Sequence, residues 1–306
     1  MERIKQALEK ARLERQQSGE MSTSPQNTGR ANNSVPVTYT HTRTISVAGN
    51  LLREKRIVTG LEQNAFTNAY KILRTQIFQR LREKNWNSVA VTSTGINEGK
   101  TLTAINLAIN LSMEVNCTVL LVDADLRHPS VHSYFGFEAE HGLSDYLTAD
   151  KPLSELLVHP EEIPGFVILP GGKPLINSAE MLNSQKMARL VEELKTRYPS
   201  RIILFDLPPL LSSADTLAFS PYVDAALLVI EEGKTQAEDV KRAMGLLQGT
   251  SVIGTVLNKS WAEAREAKPK KAVDISQKWL GSLLDRIQLL RPAAMNLFSR
   301  WRWRKS

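Results

Sequence analysis

Two glycines, a lysine and a hydroxyl stand close together in Thr94-Gly95-Ile96-Asn97-Glu98-Gly99-Lys100-Thr101, a combination suited to holding phosphate. Backbone N–H groups of a loop that follows a strand and opens a helix would cradle phosphate oxygens. Lys100 would neutralise charge on the β and γ phosphates, and Thr101 Oγ would reach a Mg²⁺ ion. The candidate cofactor-binding stretch is therefore Gly95, Asn97, Glu98, Gly99, Lys100, Thr101 and Leu102, with Thr94 where the common pattern has glycine. Carboxylates complete the set. Leu120-Leu121-Val122-Asp123-Ala124-Asp125-Leu126-Arg127 places two acids at the end of one apolar run, and Ile203-Leu204-Phe205-Asp206, followed by Leu207-Pro208-Pro209, places a third at the end of another. Each acid alone reads as well as a helix N-cap or a strand-end turn. Together, three acids facing one phosphate loop suit a Mg²⁺ ion, which takes oxygen ligands and keeps several waters.

Elements of regular spacing must position these groups. Ser88–Ser93 is a short β-rich run, Thr101–Met113 has helical periodicity, and Thr118–Val122 is again a compact apolar strand. Further apolar runs lie at 166–169, 202–205, 225–230 and 252–257, with helix-like stretches at 179–198 and 236–247. Strands that read as continuous apolar runs and alternate with helices predict an α/β fold, a mostly parallel sheet flanked by helices. Loops at the carboxyl ends of such strands are where ligands bind. Residues 1–16 read as a short amphipathic helix, 17–56 as a Ser/Thr/Asn-rich flexible linker, 57–260 as the nucleotide-binding domain and 261–306 as a basic amphipathic tail.

Charge separates the tail from the rest. Residues 261–306 carry 11 Lys and Arg against 4 acids, which accounts for the whole net charge of +7 in the 306-residue chain. The basic balance thus describes an appendage, and no nucleic-acid-binding core is expected. Trp279, Leu280, Leu283, Leu284, Ile287 and Leu290 share one helical face there, ahead of an aromatic and basic close at 298–305. That face suits anionic lipid headgroups or a membrane adaptor, packing on the chain's own domain, or, least well, single-stranded nucleic acid. One cysteine, Cys117, excludes an internal disulfide framework and fits a reducing, cytoplasmic compartment. No uninterrupted apolar stretch is long enough to cross a membrane. His128 and His132, four apart around Pro129, lack the companions of a metal site, Glu98 reads equally as a solvent-facing loop residue, and Arg127 as a salt-bridge partner of a local acid.

The order of these motifs resembles the cytoplasmic domain of bacterial tyrosine kinases, the BY-kinases of capsule and exopolysaccharide systems. The likeness rests on Glu98-Gly99-Lys100-Thr101, Asp123-Ala124-Asp125-Leu126-Arg127-His128-Pro129, Leu169-Pro170-Gly171-Gly172 with Asn177-Ser178-Ala179-Glu180-Met181-Leu182, and Phe205-Asp206-Leu207-Pro208-Pro209 with Asp215. A more distant likeness is to partition and septum-site ATPases, whose loop has an extra lysine where this chain has Gly95. The resemblance implies a P-loop NTPase of the deviant Walker group that uses ATP and Mg²⁺. It implies catalytic roles for Lys100, Asp123 and Asp125, with Asp123 the base for an incoming tyrosine hydroxyl, and metal roles for Thr101, Asp125 and Asp206. Arg127 and Asn258 join the cofactor set, Asn258 near the adenine. It further implies phosphoryl transfer to protein tyrosines, a separate membrane-spanning polysaccharide co-polymerase as partner, a homo-oligomer, and a peripheral place at the inner face of the cytoplasmic membrane. Two departures stand out. The family's Glu-x-x-Arg-x-x-Arg subunit-contact motif is replaced by Asn68, Lys71 and Arg74, and the last tyrosine is Tyr222, so a C-terminal tyrosine cluster is missing. The alternative is a nucleotide-dependent regulatory ATPase switch of the same machinery.

Overall fold

A computed structural model describes residues 42–59, 64–197 and 200–260. The elements run β1 (Arg43–Ile45), α1 (Gly49–Glu54), α2 (Ala65–Lys84), β2 (Ser88–Ser93), α3 (Lys100–Ser112), β3 (Thr118–Asp123), α4 (Val131–Phe135), α5 (Leu143–Ala149), α6 (Leu153–Leu156), β4 (Val158–Pro160), β5 (Phe166–Leu169), α7 (Ser178–Leu182), α8 (Gln185–Arg197), β6 (Arg201–Asp206), α9 (Asp215–Phe219), β7 (Ala225–Glu231), α10 (Ala237–Leu246) and β8 (Ser251–Asn258). One eight-stranded sheet has the order β1-β4-β5-β3-β6-β2-β7-β8. Every pairing is parallel except β4 with β5.

The central strands are apolar on both faces because helices cover both. Every residue of β2 and β5 is buried, as are the last five of β3 and of β6. α3 is buried along almost its whole length, from Thr101 to Ser112 apart from Leu102, so its apolar residues and even Asn106 and Asn110 lie inside the molecule. Its Leu107, Leu111 and Ile105 pack with Val89, Val91, Leu121 and Phe166 in one core cluster. The expected strands at 88–93 and 166–169 are matched to the residue, and those at 118–122, 202–205, 225–230 and 252–257 are each extended by one or two residues. β8 alternates between buried, half-buried and exposed positions, as an edge strand does.

Two expectations are corrected. The domain begins before residue 57, because part of the predicted linker is built into the fold: β1 pairs with β4, and Val47 and Leu52 belong to the core cluster. Glu162 fixes this segment by accepting from Ser46 Oγ at 2.7 Å and from Val47 N at 3.0 Å. Farther on, the Asn106 side chain accepts from Val58 N at 2.8 Å and donates to Arg56 O at 3.0 Å, which ties the segment to α3. The predicted helix over 179–198 is two helices, α7 and α8, because Ser184 Oγ accepts from Met187 N at 3.2 Å and starts a new helix. The amphipathic helix at 1–16, the linker up to residue 41 and the basic tail at 261–306 lie outside the described residues.

Candidate functional site

β2 ends at Ser93 and its chain turns directly into the phosphate loop. Ser93 Oγ donates to Gly95 O at 2.8 Å, and the strand-end carbonyls of Ser93 and Thr94 accept from Leu210 N and Leu211 N, so the segment after β6 braces the loop. The loop carries left-handed backbone at Asn97 (φ 65°) and Gly99 (φ 90°). Glycine is required at the second of these: a Cβ on Gly99 would stand 2.0 Å from Asn258 Nδ2. Lys100 then opens α3, whose start has no side-chain cap. The first-turn amides around Lys100, Thr101 and Leu102 therefore point at the loop with the helix dipole behind them, the usual arrangement for an anion.

Lys100 and Thr101 meet the carboxylates directly. Lys100 Nζ lies 2.8 Å from Asp125 Oδ2, 3.6 Å from Asp206 Oδ1 and 3.2 Å from Thr101 Oγ1. Thr101 Oγ1 donates to Asp206 Oδ2 at 2.7 Å. Asp123 and Asp206 are register partners on the neighbouring strands β3 and β6, and both are fully buried. One oxygen of Asp123 is held by Ser130 N at 2.8 Å and Val131 N at 3.0 Å, the start of α4. Its other oxygen, Oδ1, and Asp206 Oδ1 are buried without a hydrogen-bond partner.

Electrostatics follow from that packing. Burial, with the charge of Asp206 added, pushes the Asp123 carboxyl up to about 7. Asp206 is raised too, mainly by burial, although Lys100 and Thr101 pull against it. Burial alone would lower the Lys100 ammonium, but Asp206 and Asp125 outweigh it and hold it above the ordinary lysine range. The protein groups alone thus leave the site short of positive charge. Two orphaned carboxylate oxygens, an uncapped helix start and a hydroxyl beside a carboxylate fit a magnesium nucleotide. Among the described residues no group of three or more His, Cys, Asp or Glu could cage a metal by itself.

Not every predicted residue reaches this centre. Glu98 is neither solvent-facing nor aimed at the ligand side: its carboxylate is buried and accepts from Thr94 Oγ1 at 2.7 Å, from Gly95 N at 2.9 Å and from Thr235 Oγ1. It is an internal brace, because a buried carboxylate must find donors and the loop supplies them. Arg127 Nε turns instead to the fully buried Asp215 at 3.1 Å. Asn258 Nδ2 donates to Glu98 O at 2.9 Å and so touches the loop backbone. The two histidines do not form a pair: His128 N donates to Asp125 Oδ1 at 3.3 Å, while the His132 ring packs edge-on against Phe137. Sequence reasoning missed Thr235 and Lys259, which bond the loop from just beyond the carboxyl ends of β7 and β8. Tyr134, a half-buried tyrosine on α4, has its hydroxyl raised by burial and by the charge of Asp206.

Comparison with known proteins bears on this geometry. A family described as an AAA domain matches residues 88–246. The tyrosine-protein kinase YwqD of Bacillus subtilis is 34% identical over 191 residues, which cover 62% of this chain and 79% of YwqD. The tyrosine-protein kinase ptk of Acinetobacter johnsonii is 27% identical over 215 residues, 68% of this chain but 29% of that protein. Against the latter, the chain spans under a third of the relative. Among solved structures, the kinase domain of VpsO is 32% identical with a TM-score of 0.57, covering 63% of this chain and 96% of that one. The kinase domain of Escherichia coli tyrosine kinase ETK is 28% identical with a TM-score of 0.60, covering 71% and 88%.

Proposed function

The chain belongs to the bacterial tyrosine kinase family built on this AAA domain, and from that premise we propose that it transfers phosphoryl groups from MgATP to protein tyrosines in an exopolysaccharide or capsule system. The observation that carries the proposal is the contact set Lys100–Asp125–Asp206–Thr101, with the orphaned Asp123 oxygen beside it. Bound MgATP would supply the phosphoryl group and a divalent charge that spreads the negative charge of transfer. Thr101, Asp125 and Asp206 would hold the metal. The loop amides from Asn97 to Gly99 and the first turn of α3 through Leu102 would bind the phosphates, Gly95 lining the loop start with its own amide held by Glu98, and Arg127 and Asn258 at the edges of the nucleotide site.

Lys100 stands ready to neutralise phosphate oxygens from a position 2.8 Å from Asp125 Oδ2 and 3.6 Å from Asp206 Oδ1. A metal held by Thr101, Asp125 and Asp206 would supply positive charge beside those acids, and Lys100 would serve the nucleotide phosphates. Asp123 is suited to hold the tyrosine proton: its Oδ2 is pinned by two amides while Oδ1 is uncommitted, and burial sets its pKa near neutrality, where a general base works best.

Around this core the reading is that residues 42–260 form the kinase domain and residues 1–16 dock a partner. The basic tail would carry the chain to an anionic membrane face or to a membrane-spanning polysaccharide co-polymerase, with chain-length control or export as the process served. Self-association, if it uses the α2 face that bears Asn68 and Lys71, must do so with Arg74 already paired to Glu114 at 2.7 Å within the chain.

Incubation with γ-labelled MgATP, with and without the cytoplasmic segment of a candidate co-polymerase, followed by phosphoamino-acid analysis, tests the proposal. Phosphotyrosine that disappears in Lys100→Met is expected. Undiminished phosphotyrosine in that variant overturns it, and released phosphate without phosphotyrosine favours the ATPase switch.

A further inference from the structure

The phosphate loop has an outer face, and its three consecutive carbonyls there are all turned toward donors from the ends of β7 and β8. Lys259 Nζ donates to Asn97 O at 2.7 Å, Asn258 Nδ2 to Glu98 O at 2.9 Å, and Lys234 Nζ approaches Ile96 O at 3.5 Å, the longest of the three. Thr235 Oγ1 adds a fourth hold by donating to the Glu98 carboxylate. Both lysines are themselves fixed by Glu231, at 3.0 Å from Lys259 and 3.3 Å from Lys234. An ammonium has three protons, so a lysine held by one carboxylate still has donors for a carbonyl.

The peptide plane turns this into a statement about the inner face. A trans peptide points its C=O and the following N–H in opposite directions. Holding the carbonyls of Ile96, Asn97 and Glu98 outward therefore directs the N–H groups of Asn97, Glu98 and Gly99 inward, where a concave run of amides binds phosphate. Asn97 keeps a left-handed backbone, which asparagine tolerates better than most residues and which the surroundings of the loop must still select. The bond from Lys259 to its own carbonyl is one such constraint.

We infer that Lys259 and Thr235 are positioning residues of the phosphate loop, setting its peptide planes so that the amides of residues 97–99 face the outer phosphates of the nucleotide. The inference rests on the reading of the loop as an ATP site. It assigns these side chains no contact with the ligand. Their effect should scale with how many phosphates the ligand places in the loop.

Calorimetric titration of the full chain with ADP and with AMP in the presence of Mg²⁺ tests this, using wild type, Lys259→Met, Lys259→Arg and Thr235→Val. ADP affinity is expected to fall about tenfold in Lys259→Met, the equivalent of about 1.4 kcal/mol, and to recover in Lys259→Arg, while AMP affinity changes by less than about twofold. Thr235→Val should show the same selective loss, and it decides the matter if Lys259→Met does not fold. A variant that melts like wild type and binds ADP unchanged, or one that loses ADP and AMP alike, overturns the inference. Failure of the wild-type chain to bind ADP at all would instead overturn the ATP reading itself and the inference with it.

Discussion

The inner and outer faces of the phosphate loop use the same kinds of group to opposite ends. On the inner face Lys100 is nearly enclosed, with 13% of its side chain exposed; it pairs with Asp125 and, at 3.6 Å, with the wholly buried Asp206, and Oδ1 of Asp206 and Oδ1 of Asp123 make no hydrogen bond. On the outer face Lys259 and Lys234 are about half exposed, and each meets both a carboxylate and a loop carbonyl. Buried charge without a partner is expensive, so it persists where a ligand completes it. Exposed, satisfied charge costs little and contributes little energy, but it can fix geometry. The contrast assigns chemistry to the inner face and alignment to the outer one.

The largest effect expected is at the inner face. Asp123→Asn keeps an acceptor for Ser130 N and Val131 N but removes the proposed base, and phosphotyrosine formation should fall by about 10²–10⁴-fold, measured as initial rates at saturating MgATP. The same variant makes a stability prediction. Because the folded-state pKa of Asp123 is raised to about 7 by burial and by Asp206, the folded chain holds a proton that the unfolded chain releases near the ordinary aspartate range. The nucleotide-free wild type should therefore lose stability as pH rises through that window toward 7. Lys100 offsets the loss only partly, since Asp206, which faces the charge of Asp125 too, is raised as well. Thermal melting without nucleotide or Mg²⁺ should find Asp123→Asn gaining on wild type from pH 5 to pH 8. Parallel pH profiles would mean that the site is not short of positive charge.

Between the two faces lies Glu98. Replacing its carboxylate by an amide leaves one oxygen to serve Thr94, Gly95 and Thr235, so Glu98→Gln should cost about 1–3 kcal/mol in denaturant unfolding. ADP affinity should fall with it. Unchanged stability with weakened ADP binding would move Glu98 to the ligand side after all.

How far the sequence reveals all this depends on which forces are local. The strands β2 and β5 are legible to the residue because a strand buried on both faces must be a continuous apolar run. The loop and the acids Asp123, Asp125 and Asp206 are legible because each sits at the end of such a run. β1 is not, since a three-residue edge strand needs no apolar run, and the core residues Val47 and Leu52 are scattered among polar neighbours. Glu98 is legible as part of the loop but not as its brace, because the direction of a side chain in a loop depends on Thr235, 137 residues away. Lys259 is 162 residues from the carbonyl it holds, a pairing created only when β7 and β8 line up beside β2.

The smallest predicted effect is also the one that separates the two faces most cleanly. Glu231 is the anchor of both outer lysines, and the bond from Lys259 holds its carboxyl below the usual glutamate range. Glu231→Gln weakens that anchor without removing a donor to the loop, so ADP affinity at low salt should fall by no more than about twofold. At ~1 M salt, where the screening length is about 3 Å, the anchor is already loosened in wild type and the difference should vanish. Lys100 is screened far less, because its carboxylates are buried with it, so the defect of Lys100→Met should persist at both salt concentrations. Should the Glu231→Gln defect survive high salt undiminished, the outer lysines would be holding the loop by packing, and charge would have no part in the alignment.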